Sequence, residues 1–85
     1  MKPTTFDCLL AHFAGNPMLS IETVASYLAV DTETLVNKMN QRKIGLTYFR
    51  ATDGQKGKKF VMVADLAAHI DACHQKAVEE MAKFA

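Results

Sequence analysis

Several familiar routes to function are closed by what this chain has little of. No stretch approaches the ~18–20 consecutive apolar residues needed to span a bilayer. Met1-Lys2-Pro3-Thr4 does not open the long apolar run of a secretory signal, so a cytoplasmic protein is expected. There are only two cysteines, Cys8 and Cys73, too few for a disulfide framework; in a reducing compartment both are expected as free thiols. The four glycines build no glycine-rich phosphate loop after a strand. The acidic residues are scattered, with no close pair to divide acid and base roles. The chain therefore reads as non-enzymatic, with no cofactor. Net charge is only +1, so the whole molecule is not a polycation.

What is present is an ordinary globular composition, 49% hydrophobic and 22% charged, in 85 residues. That length suits one domain, residues 1–85, with one modest core. The charge is unevenly placed. Lys38, Arg42, Lys43, Arg50, Lys56, Lys58 and Lys59 face Asp53 alone in the window 38–59, a local excess of +6. Outside it, Lys2, Lys76 and Lys83 are outnumbered by eight carboxylates, a balance of −5. A basic middle between acidic flanks fits a phosphate backbone, by an attraction that salt screens. It also fits a merely soluble lysine-rich loop.

Periodicity divides the chain into elements. Phe6, Leu9, Leu10 and Phe13 recur at helical spacing and predict a first helix over 5–13, capped by Thr4 or Thr5 and ended by Gly15-Asn16-Pro17. Met18-Leu19 reads as a short extended lead. Ser20 caps a second helix whose apolar stripe is Ile21, Val24, Ala25 and Leu28. After a break at Ala29-Val30, Asp31 caps a third helix over 32–41 with Leu35, Val36 and Met39 inside; Ile44 and Leu46 follow as buried anchors. Residues 46–51 then have strand character, 52–59 read as a turn, and Phe60-Val61-Met62-Val63 as the return strand. From Asp65 onward the chain is helical, with Leu66, Ala67, Ile70, Ala77, Val78 and Met81 on one face. The expected fold is α+β, mostly α: a winged helix-turn-helix with a long C-terminal helix. The apolar face past residue 72 exceeds what one small core needs, so residues 72–85 are expected to extend the helix for self-association. Met39, Met62 and Met81 are expected as core filling, Met18 at the surface.

The break between the second and third helices fits a helix-turn-helix, in which the first helix holds the second for entry into a DNA major groove. On the third helix, Thr32, Thr34, Asn37, Lys38, Gln41 and Arg42 have side chains able to bond bases or phosphates. Lys43 follows directly, and the hairpin adds Arg50, Lys56, Lys58 and Lys59. Each half is a weak signal alone; adjacency strengthens the pair. A competing reading comes from Cys8 and His12, and His69 and Cys73, each four apart on a helix. Two such pairs side by side could make a tetrahedral zinc site, but they lack the tight Cys-x-x-Cys knuckle, and ordinary helix residues are the preferred reading. Cys73-His74 is poorly placed as a nucleophile–base pair, since helix neighbours point about 100° apart.

The stretch Leu19 to Asp31, then Thr34 to Met39, Lys43-Ile44, the lysine-rich wing ending in Phe60-Val61, and Asp65 to Asp71 together resemble the excisionase and MerR-like winged-helix module. Within that group the chain, over about residues 4–75, resembles the pyocin activator family, in its first helix Phe6 to Phe13, its Leu35-to-Lys38 stretch and the Asp65-Leu66-Ala67 start of its last helix. The resemblance implies a transcriptional activator of phage-like genes in a bacterial cell, associated with the nucleoid, with double-stranded DNA as partner and RNA polymerase as a candidate second one. A homodimer or DNA-assembled oligomer is expected. An excisionase-type factor that bends DNA to bias recombination, and a protein-binding anti-repressor, are the alternatives. Three positions depart from the group's pattern. Arg42 stands where a glycine closes the third helix, Ala29 fills a turn position often held by glycine, and Thr47 replaces a proline. An alanine with positive φ at position 29 would be strained.

Overall fold

Three helices begin on short polar side chains, as their sequences predict. In a computed structural model of the chain, which describes residues 2–50 and 58–83, α1 spans Thr5–His12, α2 Ile21–Tyr27 and α3 Thr32–Asn40. The Thr4 hydroxyl accepts from the Asp7 amide while the Asp7 carboxylate accepts from the Thr4 amide, a complete capping box. Ser20 caps α2 through the Thr23 amide, and Asp31 caps α3 through the Thr34 amide.

All three helices also end alike. After each C-cap the next residue takes a left-handed conformation: Ala14 at φ 58°, Ala29 at φ 60° and Arg42 at φ 58°. The amide one further on then reaches back to a carbonyl five residues earlier: Gly15 to Leu10 at 2.7 Å, Val30 to Ala25 at 2.9 Å and Lys43 to Lys38 at 2.9 Å. These are three Schellman motifs, each with a side chain where glycine is usual. Ala29 thus carries the strain its place in the sequence implies, and Arg42 adopts the backbone of the glycine it replaces.

The strands form one antiparallel sheet in the order β1-β3-β2, from Met18–Ser20, Phe49–Arg50 and Lys59–Met62. β3 is central: Leu19 pairs with Val61 on one side, and Phe49 pairs with Phe60 on the other. The extended lead at Met18-Leu19 is therefore a true edge strand. The first wing strand begins three residues later than expected, because Leu46 is drawn into the core and Tyr48 turns toward α3. Ala51 and most of the segment expected as the turn, Lys56 included, lie outside the described residues. The return strand is shifted back by one, and Val63 instead opens α4 (Val63–Lys83), its amide bonding the Pro17 carbonyl at 2.8 Å.

The core gathers one face of every helix: Leu9, Ile21, Val24, Ala25, Leu35, Met39, Leu66 and Ala67, with Leu19, Leu46, Val61 and Val63. Val24, Val61, Val63 and Leu66 are fully buried. Ile44 packs against this cluster from a partly buried position. The methionines divide. Met39 is buried as expected, and Met18 is at the surface; Met62, 38% exposed, and Met81, 72% exposed, are not core residues. Met62 lies on the outward side of its strand, and Met81 lies beyond the reach of α1.

That reach is set by one contact. α1 and α4 run antiparallel, with the Thr5 hydroxyl donating to the Asp71 carboxylate at 2.6 Å. Thr5 is the first residue of α1, so α4 loses its neighbour there. Every residue from Asp71 to Lys83 is exposed. At 1.5 Å per residue the unsupported part is about 18 Å long. No helix among the described residues is long and apolar enough to cross a membrane.

Candidate nucleic-acid interface

The outer face of α3 is built by exclusion. Leu35 and Met39, one turn apart, are drawn into the core, which turns Thr34, Asn37, Lys38 and Gln41 outward at positions i, i+3, i+4 and i+7. All four are exposed. Thr32 is the exception among the residues singled out on this helix: it is half-buried in the first turn, on the side of Leu35 and Val36. Arg42 and Lys43 continue the exposed stripe past the helix end, where the left-handed turn at Arg42 redirects the chain toward the wing.

Charge is graded along the helix. Its N-terminal end carries Asp31 as cap and Glu33 in the first turn; its C-terminal end carries Lys38, Arg42 and Lys43. Asp31 and Glu33 suit the helix dipole. They also make that end less hospitable to a phosphate than a helix N-terminus usually is.

The wing contributes Arg50 and Lys58, both exposed, and Lys59, half-buried. Arg50 and Lys59 are paired across β2 and β3, beside the cross-strand pair Phe49 and Phe60, whose rings lie 6.3 Å apart. Lys56 lies outside the described residues. Tyr48 joins the two halves of the surface. Its hydroxyl donates to the Asn40 side-chain oxygen at 2.8 Å, and the Lys59 ammonium sits 5.8 Å from its ring centroid. Neither Asn40 nor Tyr48 stands out in the sequence, where Tyr48 reads as one more aromatic strand residue.

The cysteine–histidine pairs do not converge. His12 packs its ring on Phe13 at 4.7 Å and on Tyr27 at 5.4 Å. On α4, Cys73 Sγ lies 3.6 Å from His69 Nε2. Among the described residues no group of three or more histidine, cysteine, aspartate or glutamate side chains is placed to hold a metal ion.

Residues 5–77 match the family model described as Pyocin activator protein PrtN. No curated protein and no solved structure matches the chain.

Proposed function

Since the chain belongs to the pyocin activator family, we propose that it activates transcription of phage-like genes by binding double-stranded DNA as a winged helix-turn-helix. The observation that supports this best is the Tyr48 bridge. It holds the polar stripe of α3 and the cationic wing as neighbouring parts of one surface.

In this reading α3 enters the major groove and α2 holds it there. Asn37 and Gln41 have the amide geometry for adenine, and Lys38 can reach guanine. Thr32 and Thr34 lie at the carboxylate-bearing end and contribute less. Arg42, Lys43, Arg50, Lys56, Lys58 and Lys59 neutralise phosphates, which positions the protein without specifying sequence. The exposed end of α4 supplies a homodimer contact, so that two half-sites are bound together. The protein works in the cytoplasm at the nucleoid, with RNA polymerase as the second partner of an activator.

A gel-shift titration across salt tests the reading. Affinity for a preferred duplex should fall steeply as salt rises, and Lys58→Ala with Lys59→Ala should flatten the log–log slope by about 2. Asn37→Ala should relax preference among sequences instead. A protein that binds no duplex at low salt overturns DNA binding and favours an anti-repressor. DNA binding with activity only in an excision assay, and none on a promoter reporter, favours a recombination factor.

A further inference from the structure

Strand register sorts the side chains of the sheet onto two sides. Leu19 and Val61 pair with each other and are buried in the core. The pairs Met18–Met62 and Ser20–Phe60, with Phe49 opposite Phe60, therefore lie on the other side. Met18 and Met62 are exposed there, and the Phe49 and Phe60 rings stand 6.3 Å apart. Exposed Lys58, two residues before Phe60, belongs to the same side by alternation. The outer face of the sheet is thus built of methionine and phenylalanine with a cation at its wing end. A second apolar surface stands far from it. Val78 and Met81 are exposed near the end of α4, with Glu79 and Glu80 between them. At 1.5 Å per residue α4 carries Met81 about 28 Å from Met62, so this tip cannot fold back onto its own sheet.

We propose that a second copy of this chain covers the sheet face: the tip of α4 of each copy lies on Met18, Phe60 and Met62 of the other, in a reciprocal two-fold exchange. Charge selects this pairing over its alternatives. Tip against tip would oppose Glu79 and Glu80 to themselves, and sheet against sheet would oppose Lys58 to itself. Tip against sheet brings the carboxylates to Lys58 instead. The path of the chain allows it. The Val63 amide bonds the Pro17 carbonyl, so α4 starts at the corner of the sheet where Met18 and Met62 pair. Two copies of α4 lying side by side and antiparallel bring each tip to that corner of the other. Size requires the contact to be made twice. One helix end, about 18 Å by 10 Å, covers far less than the ~800 Å² per partner of a stable interface. A two-fold axis doubles it and adds the contact between the two helices.

This names the surface that receives α4. It rests on the reading that the end of α4 mediates self-association, and does not depend on DNA binding.

The experiment uses the full chain without DNA. In a background of Cys8→Ser with Cys73→Ser, both exposed positions, one protein receives Met62→Cys and another Met81→Cys. With a short bismaleimide, the mixture should give about tenfold more cross-linked dimer than either protein alone, since position 62 meets 81 and neither meets itself. A second arm uses charge. Met62→Lys or Met81→Glu alone should weaken self-association about tenfold in sedimentation equilibrium, because each spoils both contacts of its own dimer. An equimolar mixture of the two should recover about tenfold, since one contact is then intact and the other pairs the introduced charges. Both residues lie outside the core, and circular dichroism checks that the fold survives. A Met81→Cys protein that cross-links with itself as well as in the mixture overturns the exchange. So does a mixture of charge variants no tighter than either alone. In both cases self-association of the unaltered chain leaves α4 as an oligomer contact. An unaltered chain that stays monomeric as concentration rises overturns both.

Discussion

The Tyr48 hydroxyl donates to the Asn40 side chain at 2.8 Å, which ties the last residue of α3 to the segment entering the wing. The bond is exposed, so it adds little to stability, at the lower end of the ~0.5–1.5 kcal/mol typical of a hydrogen bond. Its effect is on geometry. Tyr48→Phe should shift the melting temperature by no more than about 3 °C, yet weaken duplex binding several-fold. Asn40→Ala should do the same, and the double variant should be no worse than either alone, since both remove one contact. Additive losses would mean the two side chains act separately.

The left-handed residues give a second test. Ala14 and Ala29 carry only a methyl group, which gains nothing to offset a conformation that costs an L-residue about 1–2 kcal/mol. Ala29→Gly relieves that strain and loses ~0.4–1 kcal/mol to the freer unfolded chain. A net gain of about 0.5–1 kcal/mol, or roughly 2–8 °C in melting temperature, is expected. Thermal melts of Ala14→Gly, Ala29→Gly and the pair decide it; a lower melting temperature would show that the surrounding turns are already relaxed around alanine.

Arg42 has the same backbone but a different prospect. Arg42→Gly should stabilise the fold to a similar degree and, at the same time, reduce DNA affinity and lower the salt slope by about 1. Stability and binding would then move in opposite directions on one substitution. A glycine variant with full affinity would leave the arginine without a function that explains its strain.

The exposed end of α4 is separable from the core. Deleting residues 76–85 leaves the Thr5–Asp71 contact and every buried residue in place. The truncated protein should keep its melting cooperativity and lose self-association in sedimentation velocity. An unchanged sedimentation profile, with concentration varied, would remove α4 as the oligomer contact.

Much of this architecture is written locally and can be read as such. Thr4, Ser20 and Asp31 each precede an apolar stripe at helical spacing, so helix starts are fixed within a few residues of chain. The buried and exposed sides of α3 follow from Leu35 and Met39. What the sequence conceals is whatever depends on distant partners. Met18-Leu19-Ser20 is too short to show strand periodicity, and it becomes a strand only because Val61 lies alongside. Tyr48 faces Asn40 only because Arg42 bends the chain back. Met81 keeps the spacing of a core residue, while α4 loses its neighbour at Thr5, where α1 begins. The left-handed turns lie between: the places where glycine would be expected can be read, but that alanine and arginine would adopt its conformation cannot.

The central place of β3 has a consequence for how the chain acquires its shape. The caps and turns of α1, α2 and α3 close over a handful of residues and are sampled quickly, but helices this short hold only once packed. β1 must wait for a partner some forty residues downstream, and β3 must then fit between two strands. Non-local pairing of this kind is slow, because the loop is closed before the contact repays it. On a ribosome, Leu19 and Val24 stay uncovered until Val61 has been made. During synthesis the three short helices thus keep an open apolar side until β3 and then α4, the last element made, bring Val61, Leu66 and Ala67 onto it.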